Sequence, residues 1–138
     1  MYKWASALLM ALALTACDDR VESHFQRFED IPECSGIWSW LPVFFPSSAT
    51  EIAMTTNLDI DLFYVEFRLT RYEDRRRFEA ELGEENVVND ADVQQKSWCR
   101  KGKTIWNSEA EAQPFFITKT SVERYLITND KPDCRNAF

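Results

Sequence analysis

Glycine is nearly missing from this chain, with three in 138 residues, at Gly36, Gly83 and Gly102. A loop that cradles phosphate needs several glycines close together, so nucleotide binding of that kind is excluded. Histidine is scarcer still, and His24 is the single example. One imidazole leaves few nucleophile–base pairs. Neither C-x-x-C nor G-x-S-x-G occurs, so a structural zinc site and a serine-hydrolase elbow both lack support. No metal, cofactor or catalytic residue is expected, and Ser47 and Ser48 read as turn residues. Basic charge is short as well: 16 Lys and Arg face 23 Asp and Glu, for a formal charge of -7. Nucleic acids are bound through basic faces, so no nucleic-acid partner is expected. A long hydrophobic run is also absent. The apolar stretch Trp4 to Leu14 has 11 residues, against the roughly 20 that a spanning helix needs.

What the chain has instead is aromatic mass: ten Phe, five Trp and four Tyr. That supply can fill the core of one modest domain and argues against disorder. The N-terminus reads as an address. Lys3 is followed by the short apolar run and then by Thr15-Ala16-Cys17, the plan of a secretory signal peptide.

Leu14-Thr15-Ala16-Cys17 resembles the lipobox of bacterial lipoproteins, and the resemblance covers the first 17 residues. It implies cleavage before Cys17, a thioether from its sulfur to diacylglycerol, and acylation of the new amine. Two or more chains hold a protein firmly on a bilayer. Asp18 and Asp19 resemble the signal that retains lipoproteins in the inner membrane of enteric bacteria. The expected location is the periplasmic face of that membrane, with the outer membrane as the alternative. Residues 1–16 are then signal peptide, 17–33 a lipidated tether and 34–138 one globular domain.

With Cys17 lipidated, Cys34, Cys99 and Cys134 share an oxidising compartment where disulfides persist. One bond and one leftover thiol are expected. Cys99–Cys134 is preferred because it closes the shorter loops, and the odd thiol is expected to be buried or to pair with a partner. His24 reads as a solvated tether residue.

Along the mature chain, residues 18–33 suggest a charged tether with a short helix, since Val21, Phe25 and Phe28 recur at helical spacing. Residues 37–46 (IWSWLPVFFP) are the most apolar stretch, and Pro42 and Pro46 prevent regular structure there. Trp38, Trp40, Phe44 and Phe45 are candidates for an exposed binding patch. The simpler reading makes them core plugs, and both stand at this point. Ser48 and Glu51 have capping-box spacing, enough for one helical turn.

Residues 51–57 and 62–69 read as an antiparallel hairpin. Phe63, Val65, Phe67 and Leu69 alternate with Tyr64, Glu66 and Arg68, which marks a sheet with one buried face. Asp59 and Asp61 read as solvated turn residues. Thr70 and Glu73 suggest a capping box for a helix from Arg71 to Leu82 ended by Gly83. Its sheet-facing side would hold Tyr72, Phe78 and Leu82. Arg75 falls on that side and either snorkels outward or is buried against a carboxylate. Trp98 and Trp106 flank Arg100-Lys101-Gly102-Lys103, which reads as a basic hairpin turn, and residues 114–118 and 124–128 as two further strands. The expected fold is α+β: an antiparallel sheet of about four strands with one helix on one face.

The run Trp40-Leu41-Pro42, then Pro46-Ser47-Ser48-Ala49 and Ile52 before the hairpin, loosely resembles small bacterial envelope proteins over residues 38–69. No activity comes with that resemblance. The expected role is binding a protein partner in the envelope, as an accessory, inhibitor or immunity-type module. An acidic module suits a basic partner. A structural spacer is the alternative, and a carboxylate-based hydrolase is less supported, because no pair of acids stands out among many.

Overall fold

The computed structural model describes residues 20–88, 95–107, 109–130 and 134. Six strands form one antiparallel sheet: β1 (Arg20–Arg27), β2 (Thr50–Asn57), β3 (Leu62–Arg68), β4 (Ser97–Gly102), β5 (Gln113–Lys119) and β6 (Arg124–Thr128). Their spatial order is β1-β2-β3-β6-β5-β4. One helix, α1 (Tyr72–Leu82), lies between β3 and β4 in the chain. The α+β class is as expected, but the sheet has six strands rather than about four.

The two extra strands came from segments that do not look like strands. Residues 18–33, read as a helical tether, supply β1, which pairs with β2 from Arg20↔Asn57 to Arg27↔Thr50. Val21 and Phe25 are an even number apart, so the spacing that suits a helix also puts both on one face of a strand. The other addition is β4. Arg100 to Gly102, read as a turn, continue the strand opposite Phe115 to Gln113 of β5.

Alternation along β3 explains the layering. Phe63, Val65 and Phe67 are fully buried, while Tyr64 and Glu66 face solvent. Ile52 and Met54 of β2, Phe115 and Ile117 of β5, and Tyr125 and Ile127 of β6 share the buried face. Helix α1 covers it with Phe78 and Leu82. The segment between β1 and β2 covers the rest with Ile31, Leu41, Phe44 and Phe45.

The ends of α1 differ in their agreement with the sequence. Arg71, not Thr70, is the N-cap, and no side chain caps the first turn, so the capping box does not form. Tyr72 is exposed rather than packed on the sheet. Arg75 spends its donors on the Leu69 and Thr70 carbonyls at 3.1 and 2.9 Å and lies 3.8 Å from Glu123. It is thus the half-buried, carboxylate-paired arginine of the second reading. Gly83 ends the helix at φ 87, a conformation that glycine adopts without strain. Ser48 opens no helical turn, because Glu51 already belongs to β2.

Candidate functional site

The aromatic stretch proposed as a binding patch packs inward. Phe45 stacks edge-on against Phe67 with centroids 4.9 Å apart, and Phe44 meets Phe115 at 5.6 Å. Trp40 leans on Phe63 at 5.8 Å. Trp38 is half-buried, meets Phe28 at 5.3 Å and donates its indole N–H to the Pro32 carbonyl at 2.8 Å. These four rings close the core, and of this stretch Val43 is the large side chain left well exposed. The two prolines produce this arrangement by breaking regular structure, so that consecutive apolar residues can turn towards one sheet face.

Cys99 and Cys134 are joined in a disulfide. Cys34 is free and exposed, against the expectation of a buried odd thiol. Cys17, Asp18 and Asp19 lie outside the described residues. His24 lies on β1 and faces solvent. Trp98 is buried as expected, but Trp106 is largely exposed. Among the described residues no group of three or more His, Cys, Asp or Glu could hold a metal ion. No described helix is long and apolar enough to cross a membrane.

The polar clusters are built as structural ties. Glu79 on α1 accepts from the Tyr125 hydroxyl at 2.8 Å and from Lys119 at 3.0 Å, fixing the helix to β5 and β6. Burial, helped by the Glu79 carboxylate, pushes the Tyr125 phenol well above its ordinary range. It therefore stays protonated and donates. At the far end of β3, Arg68 donates to Glu123 at 2.7 Å and to Glu51 at 3.2 Å, and Arg124 reaches the same Glu51 oxygen at 3.1 Å. The bond to Glu123, then that to Glu51, raises the Arg68 pKa further. Glu79, Glu51 and Glu123 are each matched by cations.

The outer face of the sheet is different. Between β2, β3 and β6 it holds a depression of about 460 Å³ lined by Ala53, Thr55, Leu62, Tyr64, Glu66 and Leu126. The β2–β3 turn rises beside it and carries Leu58 and Ile60, 70% and 65% exposed. Asp59 and Asp61 alternate with them and are also exposed. Leu58 and Ile60 thus place adjacent apolar surface in solvent at the rim of the depression.

The turn is nevertheless held in place. Asn129, just after β6, donates to the Asp61 carbonyl at 2.8 Å and accepts from the Phe63 N–H at 3.0 Å. Tyr64 donates to Asp130 at 3.2 Å. Partial burial, and then Asp130, raises the Tyr64 pKa. Asp59 N–H is satisfied by the Asn57 side chain at 3.1 Å. A fixed turn presents its side chains at small entropic cost, a property of pre-organised binding surfaces.

Residues 19–68 match the family model of the YbbD head domain. The matched stretch takes in β1, β2, β3 and the aromatic connection between β1 and β2. It therefore includes Leu58, Ile60 and most of the depression, and leaves out α1 and β4 to β6. No solved structure matches the chain.

The candidate residues named from sequence and the surface left open by the fold are thus different sets. Leu58 to Asp61 lie in a segment read only as a turn. A signal was available: aliphatic and acidic residues alternate where turn chemistry calls for small polar ones.

Proposed function

We propose that this chain is a lipid-anchored envelope protein whose domain binds a protein partner of basic character, through the β2–β3 turn and the adjoining sheet face. The exposure of Leu58 and Ile60 on a turn clamped by Asn129 carries this reading. Apolar side chains supply the contact energy at protein interfaces, and charge selects the partner. Here the charge is mainly negative: Asp59, Asp61, Glu66 and Asp130 are all exposed near the apolar residues, with Arg20 a cation in the lining of the depression, on a chain of formal charge -7. The lipobox-like Leu14-Thr15-Ala16-Cys17 supports the anchor, with Cys17 the acylated residue.

Photo-crosslinking in intact cells tests both parts. A crosslinking residue at Ile60 is expected to capture one dominant partner, and the same residue at Val122, equally exposed on another turn, to capture none. Leu58→Ser with Ile60→Ser should lower capture from Tyr64 at least tenfold and leave folding intact. Equal, diffuse capture at positions 60 and 122 overturns the binding face. Cys17→Ala should release the protein from the membrane fraction, and retention there overturns the anchor.

A further inference from the structure

The sheet has two edges, and they are finished differently. On β4, Val87 bridges to Trp98 and the Val88 N–H donates to the Ser97 carbonyl at 2.8 Å, so a neighbouring segment covers part of that edge. On β1, the described residues supply a partner on the β2 side alone. Among the described residues this edge is eight residues long, contains neither Pro nor Lys, carries charge at Arg20, Glu22 and Arg27, and exposes Val21 at 51%. Natural edge strands of this length are normally blunted by Pro or Lys, or covered, because the free backbone groups template pairing with another chain.

The order of residues along β1 names the second chain. Two strands related by a twofold axis pair residues of one face only when the axis falls on a residue pair that preserves parity. An axis through Ser23 sets Val21 opposite Phe25, Glu22 opposite His24 and Arg20 opposite Gln26 of the second copy. Val21 and Phe25 share the face of Ile52 and Met54, since Phe25 pairs with Ile52. An exposed valine would then meet a half-buried phenylalanine, which removes apolar surface from water on both copies. On the other face, each Glu22 carboxylate would meet a His24 imidazole, whose ring N–H can donate to it. Moving the axis by one residue to His24 sets Val21 against Arg27 and His24 against itself, which loses both matches.

We propose that β1 is a homotypic docking edge, at which two copies of this chain join antiparallel about Ser23 and continue one sheet across both domains. The twofold axis stands perpendicular to the sheet, so both binding faces open on the same side. Arg20 of β1 lines the depression beside the β2–β3 turn, so the edge adjoins that face, but the backbone pairing does not depend on what the turn binds.

Cysteine scanning in cell envelopes tests the register, using the full chain with Cys34→Ala to remove the free thiol. Under mild oxidation with copper phenanthroline, Ser23→Cys is expected to give a covalent dimer of the chain, because facing Cβ atoms would lie about 4.5–5.5 Å apart. Arg20→Cys and Gln26→Cys should each remain monomeric alone, since self-pairs would be about 20 Å apart, but should crosslink when two tagged forms are produced together. Co-purification of differently tagged wild-type copies is the second measurement. A Ser23→Cys chain that stays monomeric while its membrane fraction and Cys99–Cys134 bond are normal overturns the proposal. So does a Ser23→Cys adduct to a different protein, which would make the edge a site for a foreign strand.

Discussion

The two faces of the sheet are made by the same strands and end in opposite states. On the inner face, Phe67 touches the rings of Phe45, Phe78 and Tyr125 at centroid distances of 4.9, 5.5 and 5.7 Å. One position either side of it on β3, Glu66 and Arg68 point to the outer face, where no described element covers β3. The outer face is itself divided. Near β4 and β5 it is tied by the Cys99–Cys134 disulfide and by the buried Ser97–Thr118 hydroxyl pair at 3.2 Å. Near β1 to β3 it is left to solvent. The period of two decides which residues could be buried, but the coverings decide which are. Only the inner face received a helix and an aromatic plug, so the outer face near β2 and β3 is available for other use.

Exchanging one residue on each face gives the largest effect. Phe67→Ala should cost about 3–5 kcal/mol, as expected for a fully buried phenylalanine whose cavity cannot collapse among other rings. Tyr64→Ala, three residues earlier on the outer face, loses one exposed hydrogen bond and should cost about 0.5–1 kcal/mol. Urea unfolding of the two variants measures the difference directly. Equal losses would mean that the outer face is packed in the working protein, and the contrast between the faces would fail.

A smaller effect tests how the helix is fixed to the inner face. At neutral pH, Tyr125→Phe removes the hydrogen bond to Glu79 and leaves the carboxylate with Lys119, at a cost of about 1–3 kcal/mol. The pH dependence adds a second, independent check. In the folded protein the phenol titrates above its ordinary value of 10.0. Its contribution is therefore fully present below pH 10 and is lost as pH rises towards the folded value, because only the unfolded chain ionises in that window. Above pH 10 wild-type stability should fall more steeply than that of Tyr125→Phe, and the gap between them should narrow. Parallel curves would show that Tyr125 carries no such linkage.

The sequence made the inner face easier to read than the outer one. Strand β3 alternates apolar with polar residues, β2, β5 and β6 hold short apolar runs, and Cys99–Cys134 followed from loop length alone. β1 reads as a short helix because Val21, Phe25 and Phe28 recur at helical spacing; Val21 and Phe25 also fit a period of two, Phe28 lies beyond the strand, and a charged edge strand has too few apolar residues to decide between the periods. In β4 the run Arg100-Lys101-Gly102 has turn composition, and the pairing with β5 overrode it. The capping box at Thr70 failed for a related reason: Thr70 is spaced correctly, but the helix starts one residue later, behind Arg71. The aromatic stretch illustrates the limit most clearly. Composition marked Trp38, Trp40, Phe44 and Phe45 as important without revealing whether they face a partner or Phe63, Phe67 and Phe115. Asp59 and Asp61 read only as solvated turn residues, since the fixed geometry of their turn depends on Asn129, 68 residues from Asp61 in the chain.

The smallest effect concerns the border between the packed and open regions. The β2–β3 ladder shifts register between Thr50 and Ala53, and Glu51 within that irregularity has φ 47, a conformation that suits glycine. Its carboxylate meets both Arg68 and Arg124, so the side chain secures a position that the backbone disfavours. Those ion pairs are partly exposed, so solvent screens them. Comparing two truncations separates side chain from backbone. Glu51→Ala removes the ion pairs and keeps the strain. Glu51→Gly removes both, and should be more stable than the alanine variant by about 1 kcal/mol. A glycine variant no better than alanine would mean that the bulge carries no strain at Glu51. Arg68 would still hold Glu123, joining β3 to the β5–β6 turn without any help from the bulge.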